Sequence, residues 1–381
     1  MNLTQTPTLI IGAGPAGLAV AGRLRHLGHP FILLEKDTQL TPAWHRHYDR
    51  LHLHTVREHS GLPHFPIPDS YPRYLSRTQI IDYWQAYAQR FDLQPRFHHE
   101  VVAVRRDGDS WLTTTANGAV FRSRHVVVGT GYNRVPYRPH WPGQEEFTGP
   151  ILHSADYRNG KPFYDKRVLI VGMGNTGAEL AIDLFEHGAT PFISVRQPVN
   201  IVSREFRGRA TQPTAILLSY LPHWLADRLA RWAQRQAIGD LTEYGLPTPP
   251  LAPNAQLRTT ARVPVIDVGT VELLRQGNLK ILPGIERFHG DTVAFTDGRK
   301  LPFEVIITAT GFRSRIDDFL PDAAPLLNER GHPRSLWSND PRYAGLYFLG
   351  FELPTAGILR GIKLDSRKIV NHLVASSPRN P

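Results

Sequence analysis

The 381-residue chain has no cysteine, which excludes disulfide frameworks, cysteine-based zinc sites, cysteine nucleophiles and CxxC redox chemistry together. Hydrophobic residues at 41% supply a core for two or three domains, and 31 Gly with 32 Pro fall well short of low-complexity disorder. The formal net charge of +10 suits anionic partners, but it is spread in short clusters such as Arg105-Arg106, with no basic tail; phosphate-bearing cofactors explain it better than nucleic acid.

In chain order, the first element is the apolar run Thr8-Leu-Ile-Ile, which ends in Gly12-x-Gly14-x-x-Gly17. No basic n-region precedes it, and no run of about 18 apolar residues occurs, so a cytoplasmic protein without a spanning helix is expected. A helix from Leu18 and a strand Phe31-Ile-Leu-Leu-Glu35 complete a βαβ unit. Gly12 permits the tight turn, Gly14 lets backbone approach a pyrophosphate, and Gly17 lets the helix pack against the strand. The helix start, with Pro15 and Ala16, offers free N–H groups to that pyrophosphate. Glu35, next to Lys36, is placed to accept from ribose hydroxyls, which suits an adenosine with a free 2′-OH.

A β-meander is expected over Val101–Phe121, turning at Asn117-Gly, and a closing strand His125-Val-Val-Val ends at Thr130-Gly131. The same grammar then repeats. Val168-Leu-Ile-Val leads into Gly172-x-Gly174-x-x-Gly177, with Asn175 and Thr176 opening a helix and Pro191-Phe-Ile-Ser-Val-Arg196 as the second strand. Arg196, behind Ser194, stands where the first unit has Glu35, and a cation there accommodates a 2′-phosphate. Two dinucleotides in one chain imply a flavin beside a nicotinamide, FAD and NADPH. A second meander is expected over Asp291–Phe303, and a closing strand from Glu304 ends at Thr310-Gly311. Residues 213–238 read as one helix with an apolar stripe of Leu217, Leu221, Trp224, Leu225, Leu229 and Trp232. Packing of that stripe onto the protein is the first reading; a channel lid or peripheral membrane contact is the other. A last helix is expected over Gly361–Leu373.

The fold class is therefore α/β, with two Rossmann-like dinucleotide-binding domains. The FAD domain is discontinuous, 1–160 plus 312–381, around an NADPH domain of 161–311 with a helical insertion about 205–260.

Phe147-Thr-Gly149-Pro-Ile-Leu-His153-Ser-Ala-Asp-Tyr157 carries an FxGxxxHxxxY motif just before the second glycine loop. With Gly172-Met-Gly-Asn-Thr-Gly-Ala-Glu, Ala309-Thr-Gly-Phe-Arg, Gly345-Leu-Tyr-Phe-Leu-Gly-Phe and Tyr48-Asp-Arg-Leu-His-Leu-His, it makes the chain resemble class B flavin-containing monooxygenases, closest to the YUCCA type. The resemblance implies NADPH reduction of FAD, addition of O2 at flavin C4a, and transfer of one oxygen atom to a small organic substrate. Oxidative decarboxylation of an aryl-2-oxo acid such as indole-3-pyruvate is favoured; N/S-oxygenation, Baeyer–Villiger oxidation and an NADPH oxidase or flavin-dependent reductase are the alternatives. A disulfide reductase shares the architecture but needs a cysteine pair.

The resemblance places His54 beside the flavin where many members of the wider family have asparagine, and makes His54 and Arg57 the catalytic candidates, with Arg360 weaker. Trp44 is the residue kept from a Gly-Gly-x-Trp pattern, and Val101 joins the cofactor contacts. His45, His47, His52, His54, His59 and His64 lie close together, the first and second pairs each able to share a strand face, but no HExxH-like spacing or acidic partner set accompanies them, so no metal is expected. The oligomeric state is left open.

Overall fold

The computed structural model describes residues 3–260, 262–352, 354 and 356–376. The chain forms two compact units: unit 1 takes the residues up to His45, Thr55–Val135 and those from Phe312, and unit 2 takes Arg46–His54 and Pro136–Gly311. In chain order, unit 1 opens with β1 (Leu3–Ile11), α1 (Pro15–His26), β2 (Ile32–Leu34), α2 (Arg77–Arg90), β3 (Val101–Asp107), β4 (Ser110–Thr115) and β5 (Val120–Val128). Unit 2 contributes β6 (Ile151–His153), β7 (Arg167–Val171), α3 (Asn175–Glu186), β8 (Thr190–Ser194), α4 (Thr211–Leu218), α5 (His223–Ile238) and β9 (Lys280–Leu282). It continues with β10 (Ile285–His289), β11 (Thr292–Phe295), β12 (Lys300–Pro302) and β13 (Val305–Thr308), before unit 1 closes with β14 (Leu346–Phe348) and α6 (Ile358–Ala375).

Unit 2 is built on a parallel sheet and unit 1 on a mixed one in which β3, β4 and β5 run antiparallel; in each, the strand before the glycine loop lies between the strand after the helix and the closing strand. In unit 1 the order is β2-β1-β5-β4-β3, with β14 parallel to the end of β5. One row of side chains, Leu33, Ile10, Val127 and Tyr347, crosses the parallel part, and every member is at most 1% exposed. In unit 2 the order β9-β8-β7-β13-β6 is parallel throughout, with Ile281, Ile193, Ile170, Ile307 and Leu152 in one row. Strands covered on both faces need continuous apolar runs, which is what β1, β5, β7 and β13 contain.

In unit 1, α1 is tied to α6 by Arg23, whose guanidinium donates to Ser366 Oγ and to the Lys363 carbonyl, each at 2.9 Å. Gly22 lets α2 approach α1: a Cβ there would lie 2.0 Å from the Tyr87 hydroxyl.

Five sequence expectations are corrected. The helix expected over 213–238 is two, α4 and α5, because Pro222 removes an N–H and disfavours helical backbone at Leu221. Its apolar stripe packs only in part: Leu221 and Leu225 are half-buried, whereas Leu217, Trp224 and Trp232 are more than half exposed. The second meander starts at Ile285 rather than Asp291; a bulge between Ile285 and Arg287 breaks the alternation that would have marked β10 as a strand. The last helix begins at Ile358, so Arg360 sits in its first turn and not in a loop. His45 ends a helical turn and neither histidine pair shares a strand; among the described residues no three His, Cys, Asp or Glu side chains are grouped to hold a metal ion, and no helix is long and apolar enough to cross a membrane.

His125 of β5 is 2% exposed, and burial pushes its imidazole down to about 4. A histidine kept neutral by the fold contributes stability that is full above its unfolded value near 6.5 and is lost as pH falls towards 4. Urea unfolding at pH 7.0 and 4.5 should therefore show a loss of about 2–3 kcal/mol attributable to this residue. In His125→Gln that share of the loss disappears; an unchanged pH dependence would mean that the ring is not titrating against the fold.

Candidate functional site

The loop after β1 is shaped by three glycines doing different work. Gly12 has φ +100°, and a Cβ on it would meet the Gly129 carbonyl oxygen at 2.9 Å. Gly17 has no room at all, since its Cβ would lie 1.8 Å from the Gly12 oxygen. Gly14, the N-cap of α1, is the opposite case: its φ is −79°, and nothing lies within 4 Å of where its Cβ would be. Neither backbone conformation nor packing demands glycine there. The helix start has no side-chain cap, so its N–H groups face that open cradle.

Around the loop, Glu35 at the end of β2 is 5% exposed and accepts from the N–H groups of Ala13 at 2.8 Å and Asp37 at 3.1 Å. Burial raises its carboxyl above the usual range, and those backbone donors oppose the rise. The Thr41 N–H donates to the Ala13 carbonyl at 3.1 Å, and Thr130 follows the end of β5. The hydroxyls of both are buried, with no hydrogen-bond partner among the described residues. An open, uncapped helix start beside two orphaned hydroxyls and a buried carboxylate fits a dinucleotide with pyrophosphate and ribose. Gly131 has positive φ and open space; Lys36 is exposed. Trp44 meets Trp84 edge-on at 4.8 Å, and Val101 is buried at the start of β3.

Unit 2 repeats the glycine geometry of this loop. Gly172 has φ +107° with its Cβ position 2.8 Å from the Ala309 oxygen, and Gly177 would press to 2.1 Å on the Gly172 oxygen. Gly174 again caps its helix at an ordinary φ of −97°, with nothing within 4 Å. Asn175 holds the chain beyond, accepting from the Ile266 N–H at 2.7 Å, and Thr176 follows it in the first turn. At the end of β8, the Ser194 hydroxyl turns inward and donates to the Pro283 carbonyl at 2.6 Å. Arg196 is exposed, and its stem lies over Gly284, where a Cβ would come within 3.1 Å of the Arg196 Cγ. Arg262 adds a second cation by bonding Gln197, next to Arg196.

The FxGxxxHxxxY segment braces this unit. Gly149 lets the chain pass the Glu304 carbonyl, 2.2 Å from where a Cβ would be. His153 is fully buried; its Nδ1 accepts from the Ala155 N–H and its Nε2 donates to the Gly311 carbonyl, both at 3.1 Å. Gly311 also accepts from the Tyr137 N–H, while the Thr310 hydroxyl donates to the Tyr137 carbonyl at 2.5 Å.

The segment 46–54 docks on one face of α3. Glu179, Asp183 and Glu186, at helical spacing, receive Tyr48 with His54, Tyr157 and Arg50 respectively. His54 Nε2 lies 2.9 Å from Glu179 Oε1, at an angle off the line of a hydrogen bond. Tyr48 is 2% exposed and bonds the same carboxylate; burial, then the Glu179 charge, raises its hydroxyl well above the usual value. The Tyr157 hydroxyl donates to Asp183 at 2.5 Å. Arg57, in unit 1, is held by its surroundings, with Nη1 on the Tyr71 carbonyl at 2.7 Å and Asp69 and Glu58 as ion-pair partners. Sequence reasoning missed Thr41, Glu179 and Gly284. The signal for Glu179 was available: a carboxylate inside an apolar helix face needs a buried partner.

A flavin-binding monooxygenase-like family profile matches residues 41–330. The chain belongs to that family. It is 36% identical over 378 residues to "Probable indole-3-pyruvate monooxygenase YUCCA3" of Arabidopsis thaliana, covering 96% of this chain and 86% of the relative. It is 39% identical over 359 residues to "Indole-3-pyruvate monooxygenase YUCCA8" of Oryza sativa subsp. indica, covering 90% and 85%. A solved flavin-containing monooxygenase from Stenotrophomonas maltophilia shares the fold, with TM-score 0.74 at 22% identity over 98% of this chain and 99% of that one. The protein is thus a flavoprotein monooxygenase with the fold of two dinucleotide-binding domains.

The glycines yield a separable prediction. Gly14→Ala and Gly174→Ala should keep or slightly raise the melting temperature, because both positions accept a Cβ without strain. Each should nevertheless weaken its own nucleotide, flavin or nicotinamide, by roughly tenfold or more, through loss of close backbone approach. Gly17→Ala and Gly177→Ala should fail to fold. Calorimetry with flavin-content and nicotinamide titrations separates these outcomes; retained affinity in both cradle variants would mean that the loops bind nothing.

Proposed function

We propose that the protein uses FAD and NADPH to decarboxylate an aryl-2-oxo acid oxidatively, with indole-3-pyruvate as the substrate. The observation that carries this reading is the identity with indole-3-pyruvate monooxygenases over nine-tenths or more of the chain. The reaction consumes NADPH, a proton, O2 and the 2-oxo acid, and releases the arylacetic acid, CO2, water and NADP⁺. FAD, when bound, carries the hydride and activates O2.

In this reading unit 1 serves FAD, and unit 2, with the insertion about 205–260, serves NADPH. Glu35 accepts from the FAD ribose, and the Gly14 cradle with the Thr41 and Thr130 hydroxyls receives its phosphates. Arg196, steadied over Gly284 and supported by Arg262, holds the 2′-phosphate of NADPH. Ser194 shapes the end of β8 and leaves phosphate contact to the arginines. His54 is the residue at the reacting face, and Glu179 with Tyr48 fixes its ring. Arg57, with its charge met by Asp69 and Glu58, orders its own turn. The partners are small molecules and O2, in the cytoplasm.

Purified flavoprotein given NADPH, O2 and indole-3-pyruvate should form indole-3-acetate and CO2 in step with NADPH consumption. Stoichiometric hydrogen peroxide with no CO2 would replace the reading with an NADPH oxidase; discharge by an amine, sulfide or ketone instead would move it to another oxygenation. Arg196→Ala should raise KM for NADPH about 10–100-fold, the worth of one or two charged hydrogen bonds, with little effect on NADH. His54→Ala and Glu179→Gln should both keep FAD content and NADPH KM while lowering product formed per NADPH consumed. An effect confined to KM would place the pair outside the reacting face.

A further inference from the structure

Of the fourteen large hydrophobic side chains that are exposed among the described residues, five lie between 217 and 232: Leu217 at 67%, Tyr220 at 76%, Trp224 at 66%, Leu229 at 39% and Trp232 at 54%. The others are scattered singly along the chain. On α5 Ala226 and Ile238 are buried, while Trp224, Arg228 and Trp232, each four residues apart, and Arg235 share one exposed face with Leu229 beyond its edge. An amphipathic helix normally turns its large apolar side chains inward; this one leaves both of its tryptophans outside.

The charge around that stripe has one sign. Residues 204–238 contain six arginines and two carboxylates. Asp227, on the inner side, is spent on Arg258 at 2.6 Å, and Glu205 stands on the short hairpin before α4. Arg231 reaches back to the Pro250 carbonyl. Arg228 and Arg235, both exposed, flank the apolar residues and form no ion pair within the described residues.

We propose that the α4–α5 face docks on the surface of an anionic lipid bilayer, with Trp224 and Trp232 entering the headgroup boundary and Arg228 and Arg235 contacting lipid phosphates. Indole rings are amphipathic and settle at that depth, with cationic residues beside them at the phosphates. At 16 residues and with three arginines, α5 lies on a bilayer and does not cross it. Charge argues against a second copy as the occupant: twofold pairing would bring Arg228 and Arg235 up to their own equivalents with no carboxylate to receive them.

The test is co-sedimentation of the FAD-loaded protein with extruded phosphatidylcholine vesicles, with and without 30 mol% phosphatidylglycerol. Binding should be roughly tenfold or more stronger on the anionic vesicles, fall at 0.5 M NaCl, and be accompanied by a blue shift of tryptophan emission. Trp224→Ser/Trp232→Ser and Arg228→Glu/Arg235→Glu should each lose about tenfold or more in vesicle binding, at unchanged FAD content and melting temperature, and with NADPH oxidation in free solution unchanged. Equal binding to neutral and anionic vesicles, or binding that survives both variants, would overturn the proposal. So would light scattering that finds a dimer dissolved by the same variants, with no vesicle binding by the native chain.

Discussion

Two missing Cβ atoms set the geometry on which the remainder rests. In each unit the third glycine of the loop sits directly over the carbonyl of the first, about 2 Å from where a side chain would begin. This contact seats the start of α1 or α3 over the end of its strand and points uncapped N–H groups outward. The first glycine is required twice over: its φ is positive, and the carbonyl just after the closing strand passes too near for a Cβ. With those two positions committed to packing, the second is left free and empty. Packing explains the outer glycines; it leaves the middle one unexplained, and the proposed function gives that position to a ligand.

The two copies of this device diverge at the ends of their second strands. Glu35 in unit 1 is buried and half satisfied by backbone donors, an arrangement suited to neutral hydroxyl partners. Arg196 in unit 2 is exposed over a bare glycine, with Arg262 close by, an arrangement suited to a dianion. The buried acidic face of α3 adds a further element. Glu179 and Asp183 would be costly inside an apolar unit, and the tyrosines and histidine brought by 46–54 and 157 compensate them. The candidate histidine is therefore held by the same helix that begins at the second glycine loop.

How far the sequence carried depended on whether a feature was written locally. Glycine spacing encodes backbone geometry within six residues, so both loops, their sheets and the flanking strand ends were legible before any coordinates. Contacts across long separations were not: nothing local joins His54 to Glu179, or Arg196 to Gly284. The bulge at Ile285 hid a strand, and Pro222 split a helix whose periodicity ran on regardless. Periodicity also identified the apolar stripe of α5 but could not tell which way it faced, since a face covered by the protein and one left bare share the same spacing.

The most direct test of a chain with two differently tuned nucleotide loops is anaerobic mixing of the purified flavoprotein with NADPH or NADH, followed by flavin absorbance. Rapid bleaching by NADPH at micromolar concentrations, with NADH needing far more to reach the same rate, is the result expected from a carboxylate at one loop and arginines at the other. Equal efficiency with both nucleotides, or no bleaching by either, would contradict the account.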